Sequence, residues 1–336
     1  MDIAKITVVG GGSWGTALAA LLAGKGYAVT MLMRDAGLAQ AVHNRHENPR
    51  YLPGFTLPAG LAATIDPALA LEGAGLIVWA IPCQSGRAVL KALRPWMPEN
   101  PLIVSATKGI ETAGLRRMEE LVQEELAGLA PRYGVISGPS FAEEVMQDIP
   151  TAVVLACRDE QLCRRLQDVF STGRFRAYAG FDVVGVELGG AVKNVIAIAA
   201  GMIDGLGLGH NTMAALITRG LAEISRLGLA MGAEARTFLG LSGVGDLTLT
   251  CTGGLSRNRH VGVELGQGRA LAAIINDMHM VAEGVKTAPA VQELARRYNV
   301  DMPITAAVCQ VLNGEVSPAG AVQQLMARAL KMEHDT

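Results

Sequence analysis

The sequence predicts an α/β protein: a doubly wound, mostly parallel sheet over residues 1–180, then an all-helical domain over residues 181–336. Three observations predict this. The chain opens with a strand, a glycine turn, a small-residue helix and a second strand. Short β-branched runs then alternate with helical patterns as far as about Phe181. Beyond that point strand signals become scarce, and long helix-compatible stretches punctuated by Gly and Pro take over.

Lys5 to Val9 reads as a buried strand, and Gly10-Gly11-Gly12-Ser13-Trp14-Gly15 follows it at once. A helix of small residues runs from Thr16 to Lys25, and Tyr27 to Met33 reads as the next strand. This is the G-x-G-x-x-G fingerprint of a Rossmann-type dinucleotide site in its required setting. Gly10 permits the tight turn, Gly12 lets a pyrophosphate approach the backbone, and Gly15 lets helix pack on strand. The helix N-terminus presents N–H groups and partial positive charge to the phosphates.

Further strand candidates are Leu61–Thr64, Leu76–Ala80, Leu102–Ser105, Gly134–Ser137, Ala152–Leu155 and Phe175–Tyr178. Helical patterns such as Leu115–Leu126 and Glu160–Phe170 lie between most of them. Such sheets bind ligands beyond the carboxyl ends of their strands, so functional residues are expected just after strands. In the second half, helices are expected at Val186–Met202, Thr212–Met231, Ala235–Leu239, Arg259–Gly266, Leu271–Asn276, Thr287–Tyr298, Pro303–Leu312 and Pro318–Ala329.

Half of the residues are hydrophobic and only 4% are aromatic, which suits tight helix–sheet and helix–helix packing. The formal net charge of -2 gives no reason to expect nucleic acid or an anionic membrane as partner. Five cysteines with no C-x-x-C spacing fit reduced thiols in the cytoplasm better than disulfides or zinc. The first strand leaves no room for a signal peptide, and no membrane insertion is expected: Lys193 and Asp204 flank the most apolar stretch, Val195 to Met202. His43 and His46 have no third ligand nearby, so no metal is expected. An apolar second domain fits a homodimer.

Several constellations carry chemistry. Met33 stands where an acidic residue would hold a ribose 2′-OH, and Arg34 follows it, which favours NADP(H) over NAD(H). Asp35 reads equally as a helix N-cap. Lys108, after the strand ending at Ser105, is either a cation for a phosphate or carbonyl, or a solvent lysine in a loop. Ser140 with Glu143 reads as a capping box, with Gly138 and that helix N-terminus lining the ligand site.

Lys193 sits in a run that is otherwise small and apolar, with Gly189, Gly190, Ile196 and Ala197 one turn away. Buried lysines are rare unless paired, and desolvation lowers the pKa toward the range of general acid–base work; the alternative is a lysine that snorkels its head to solvent, against which the glycines on the same face argue close packing. Asp246, in a glycine-rich turn, is either the partner of a lysine or a helix N-cap. Ser256-Arg257-Asn258-Arg259 offers cations and polar groups suited to a phosphate, or a polar loop before a helix.

Together these residues resemble the NAD(P)-dependent glycerol-3-phosphate dehydrogenase family, bacterial type, over nearly the whole chain. The resemblance rests on Gly10–Gly15, Ala106-Thr107-Lys108-Gly109, Ser137–Ala142, Gly189–Asn194, Gly245-Asp246-Leu247, Thr250-Cys251-Thr252, Ser256-Arg257-Asn258 and Val281–Gly284. It implies a second domain like the C-terminal domain of 6-phosphogluconate dehydrogenase. It also implies reduction of dihydroxyacetone phosphate to sn-glycerol 3-phosphate for phospholipid synthesis. By the same resemblance Lys193 is the general acid/base. Lys108, Gly138, Ser140, Lys193, Asp246, Ser256, Arg257 and Asn258 would hold the substrate. Besides the glycine turn, Ser13, Trp14, Arg34, Tyr51, Lys108, Ala142, Arg257, Val281 and Glu283 would touch the cofactor. Cys83 stands where many members carry serine. The rivals are a dehydrogenase of β-hydroxyacids or ketopantoate with the same two-domain plan, and an NADPH-binding regulator.

Overall fold

The computed structural model describes residues 3–278, 281–330 and 332–333. The chain forms two compact units, one of residues 1–108 with 116–183 and one of residues 109–115 with 184–336.

The first unit is built on strands β1 (Lys5–Val9), β2 (Ala28–Leu32), β3 (Glu47–Asn48), β4 (Leu52–Thr56), β5 (Leu61–Thr64), β6 (Leu76–Trp79), β7 (Leu102–Ser105), β8 (Arg132–Ser137), β9 (Thr151–Cys157) and β10 (Phe175–Gly180). Eight of them form one sheet in the order β10-β9-β8-β7-β6-β1-β2-β5. Every neighbouring pair is parallel except β8 with β9. Its helices are α1 (Ser13–Gly24), α2 (Ala36–Gln40), α3 (Pro67–Leu71), α4 (Cys83–Leu93), α5 (Met118–Glu125), α6 (Ala142–Met146) and α7 (Glu160–Phe170). The central strands are apolar on both faces: Leu76 to Trp79 are all fully buried. Strand order reverses between β1 and β6, the switch point at which such sheets bind ligands.

Two expectations in this unit need correction. The β3–β4 hairpin was not expected; its strands are short and carry no alternation long enough to read. Ser140 does not open a capping box. The helix starts at Ala142 with Phe141 at the cap, and the Ser140 hydroxyl donates to the Gly138 carbonyl at 3.0 Å instead.

The second unit consists of α8 (Val183–Gly205), α9 (Gly209–Ala230), α10 (Ala235–Phe238), α11 (Asp246–Thr252), α12 (Arg257–Gly266), α13 (Leu271–Asp277), α14 (Glu283–Arg297), α15 (Pro303–Leu312) and α16 (Pro318–Met326). By length and composition α8 could cross a membrane, but it is the core helix here, with 89% of its most apolar window buried inside the protein. Val192, Val195, Ile196 and Ile198 are fully buried on it. Each such side chain contributes about 1.5–3 kcal/mol of transfer free energy.

Glycines let the neighbouring helices reach the α8 backbone. A methyl at Gly201 or Gly205 would collide with the backbone of α12, and one at Gly262 or Gly266 with the backbone of α8. The four form reciprocal small-residue pairs four apart, which allow the two helix axes to approach closely. A methyl at Gly284 of α14 would stand 2.6 Å from the Asn194 carbonyl, and one at Gly220 of α9 would stand 2.6 Å from Ile196. The register of α12 and α14 on α8 is therefore set by backbone contact.

Glu223 of α9 is buried and accepts from Ile304 N at 2.6 Å, Thr305 N at 3.1 Å and the Thr305 hydroxyl at 3.1 Å. It caps α15 from a distant part of the chain and satisfies N–H groups that the helix itself leaves open. Burial pushes its carboxyl up to about 7.

Gly262→Ala is expected to lower the thermal unfolding midpoint by several degrees, whereas Gly254→Ala, where a methyl meets open space, leaves it unchanged. Equal midpoints would refute the backbone-contact argument. For Glu223 the folded carboxyl keeps its proton to about pH 7, while the unfolded one loses it near 4.5. Stability from this group therefore falls as pH rises between those values and levels off above. The unfolding free energy of Glu223→Gln relative to the natural protein is expected to rise by roughly 3 kcal/mol between pH 4 and 8, measured in urea.

Candidate active site

The glycine turn is built as the fingerprint requires. Gly10 has φ +119°, and a methyl there would stand 2.5 Å from the Ala80 carbonyl at the end of β6. A methyl at Gly15 would collide with the Gly10 carbonyl. At Gly12 a methyl would meet nothing within 4 Å, so that side of the turn is open to a ligand. α1 begins at Ser13, with no side chain capping its first N–H groups. The residues therefore fit a dinucleotide: an open glycine face lies against an uncapped helix N-terminus at the switch point of the sheet.

The other predicted cofactor residues of this unit gather around the turn. The Ser13 hydroxyl donates to the Tyr51 carbonyl at 2.7 Å. Trp14 packs its ring 6.4 Å from that of Phe175 and is half-buried. Arg34 is exposed just past β2, and Asp35 caps α2 by accepting from Leu38 N at 3.0 Å, which settles its role in favour of the N-cap. Cys83 is buried at the start of α4.

Past β7 and β8 the structure brings together Lys108, Gly138 and Ser140. Both Lys108 Nζ (3.1 Å) and the Ser140 hydroxyl (3.0 Å) donate to the Gly138 carbonyl. Gly138 has φ +140°, and a methyl there would stand 2.9 Å from Val153 Cα, so the position demands glycine. Lys108 is thus tied down at a strand end and is not a loose loop lysine. Ala142 is the first residue of α6, on the same stretch.

The helical unit holds a buried charged cluster. Lys193 Nζ donates to Asp246 Oδ1 and, at 2.7 Å, to the Thr250 hydroxyl. Lys193 and Asp246 are 5% and 1% exposed, so neither charge has water to solvate it fully. Asp246 is the first residue of α11, not a cap, and Thr250 lies one turn on. The Thr250 hydroxyl donates to the Asp246 carbonyl at 2.6 Å while it accepts from Lys193. A buried pair of this kind is tolerated because each charge compensates the other; removing one partner would strand the other.

Thr250 belonged to a motif of the resemblance but received no role from the sequence. The signal that could have exposed it is the i, i+4 spacing from Asp246, which places both on one helix face. That spacing was hidden because residues 242–250 read as a turn. The glycine-rich part, Leu241–Gly245, is a π-turn in which Gly243 leaves helical geometry, and the helix starts only at Asp246.

Ser256, Arg257 and Asn258 open α12. The Ser256 hydroxyl is its N-cap, accepting from Arg259 N at 3.2 Å. Asn258 is buried, and its side-chain oxygen accepts from Gly284 N at 2.9 Å, which pins the start of α14 to α12. Both residues thus have a structural engagement besides the phosphate contact the sequence implied. Arg257 is exposed at the start of α12, near the Glu283 carboxylate. Glu283 is the first residue of α14, and Val281 is exposed just before it. Among the described residues no group of three His, Cys, Asp or Glu side chains is placed to share a metal ion.

Known proteins place this geometry. The family described as NAD-dependent glycerol-3-phosphate dehydrogenase N-terminus matches residues 5–163, and its C-terminus counterpart matches residues 182–323. The chain is 60% identical over 329 residues to the glycerol-3-phosphate dehydrogenase [NAD(P)+] of Nitratidesulfovibrio vulgaris, covering 98% of this chain and 100% of that one. Among solved structures, the glycerol-3-phosphate dehydrogenase of Coxiella burnetii superposes with a TM-score of 0.92 at 40% identity, covering 96% of this chain and 99% of that one. The enzyme of Saccharomyces cerevisiae gives 0.82 at 28% identity, covering 96% and 99%. With a Rossmann-type sheet, a helical second unit and a buried lysine–aspartate pair, the chain belongs to the NAD-dependent glycerol-3-phosphate dehydrogenase family.

Proposed function

We propose that the chain reduces dihydroxyacetone phosphate to sn-glycerol 3-phosphate, reversibly, and supplies glycerophospholipid synthesis. The observation that carries this reading is the buried Lys193–Asp246–Thr250 cluster in a chain of this family. Bound NADPH or NADH supplies the hydride. NADPH is the preferred donor, since Arg34 follows β2 and Met33 occupies the acidic position.

Lys193 is the general acid. As hydride reaches the carbonyl carbon, negative charge grows on the carbonyl oxygen, and the ammonium donates its proton there. In the reverse direction the lysine takes the proton back from the hydroxyl. Asp246 and the Thr250 hydroxyl accept two of the three ammonium N–H groups and fix the direction of Nζ. Lys108, Gly138, Ser140, Asp246, Ser256, Arg257 and Asn258 bind the substrate, and the Arg257 guanidinium takes the phosphate with a planar two-point fork. Gly10, Gly12, Ser13, Trp14, Gly15, Arg34, Tyr51, Lys108, Ala142, Arg257, Val281 and Glu283 form the cofactor contacts.

All five cysteines are free thiols, which supports a reducing compartment such as the cytoplasm. The enzyme acts there as a homodimer. Exposed apolar side chains on the helical unit, among them Leu229 and Leu239, support that state.

The test is loss of absorbance at 340 nm with dihydroxyacetone phosphate and NADPH, with NADH and a non-phosphorylated ketone run beside it. Turnover that requires the phosphate is expected. Lys193→Ala should lower kcat at least 10³-fold while NADPH still binds; retained turnover would remove Lys193 from the mechanism. Arg257→Ala should raise KM for the phosphorylated ketone at least 10-fold, and an unchanged KM would place the phosphate elsewhere.

A further inference from the structure

Arg50 has no part in the site as assigned, yet the structure delivers it to the end of β2. The segment that carries it is sewn to the glycine turn. Asn48 is fully buried; its Nδ2 donates to the Gly11 carbonyl at 3.0 Å and to the Thr16 hydroxyl at 2.8 Å. Its Oδ1 accepts from Tyr51 N at 3.2 Å, and the Tyr51 carbonyl accepts from the Ser13 hydroxyl at 2.7 Å. Arg50 lies between these two tied residues. Its guanidinium carbon sits 5.6 Å from the centre of the Tyr51 ring, and its Nη1 is 3.7 Å from Asp35 Oδ2.

The groups around it define what this corner would accept. Met33 is buried with its methyl end against Gly11, so no carboxylate stands where a ribose hydroxyl would be held. The Asp35 carboxylate is engaged: Oδ1 caps α2 and Oδ2 faces Arg50. Arg34 is exposed in the same bend. Two guanidinium groups and one committed carboxylate leave net positive charge beside the glycine turn. That combination suits a phosphate monoester better than an uncharged sugar hydroxyl.

We infer that Arg50 is a specificity-determining residue that grips the 2′-phosphate of NADPH together with Arg34. Asp35 keeps its guanidinium in position, and the Tyr51 ring supports its face. The inference rests on the preference for NADPH stated above and adds a second cation to it.

Isothermal titration with two fragments lacking nicotinamide tests it without turnover. Adenosine 2′,5′-bisphosphate and adenosine 5′-monophosphate differ only in the 2′-phosphate. The natural protein is expected to bind the bisphosphate at least 10-fold more tightly. Arg50→Ala should cut that ratio by about 10-fold and leave the monophosphate within twofold, which also shows that the variant is folded. No preference in the natural protein would overturn the NADPH reading itself. A preference that survives Arg50→Ala, or equal loss of both fragments, would overturn the role of Arg50 and leave the NADPH reading standing.

Discussion

The pairing of one buried ammonium with one buried carboxylate is the interaction on which the helical unit depends. Lys193 lies buried in a long apolar helix, where an unpaired charge would cost several kcal/mol. Asp246 removes that cost only if α11 brings it within hydrogen-bond reach, and Thr250 completes the site only if α11 starts where it does. Gly189 serves that requirement, since a methyl there would collide with the Ser242 carbonyl in the turn that leads into α11. Chemistry and packing thus share residues: the glycines that let helices touch α8 also fix where the lysine points.

The same economy governs the predicted phosphate-binding segment. Ser256 caps α12 and Asn258 pins α14, so the segment that presents Arg257 is held at both sides by hydrogen bonds. The backbone contacts between α8 and α12 then set its distance from Lys193 along the helix pair. A guanidinium on a rigid helix start loses less freedom on gripping a phosphate than one on a loop would. In the sheet unit, Asn48 does comparable work by tying the segment before Tyr51 to the glycine turn.

Much of the architecture was legible because its signals are local. The first fingerprint needs only a strand, three glycines and a helix in sequence, and β1, α1 and β2 appear where it put them. The helix Glu160–Phe170 has a strong apolar stripe and Asp159 as its cap, and it was read to the residue. Where signals were short or contradictory, local reading failed. The β3–β4 hairpin has too few residues for a period, and α11 was masked by Gly240, Ser242, Gly243 and Gly245 just ahead of it. Ser140 looked like a cap because its spacing to Glu143 is right, but the chain turns one residue later, so the hydroxyl meets a carbonyl instead.

The sequence by itself determined the dinucleotide turn and the oddity of a lysine in an apolar helix, since each is written in one short stretch of chain, and the order of the two domains, since strand signals fade past about Phe181. Only the tertiary structure decided which carboxylate neutralises that lysine, that Thr250 shares it, and that Asn258 reaches Gly284. Those partners lie 53, 57 and 26 residues apart in the chain. Contacts at such separation leave no period or spacing to read; they exist because packed helices, brought to backbone contact by glycine, leave a buried polar group few places to find its partner.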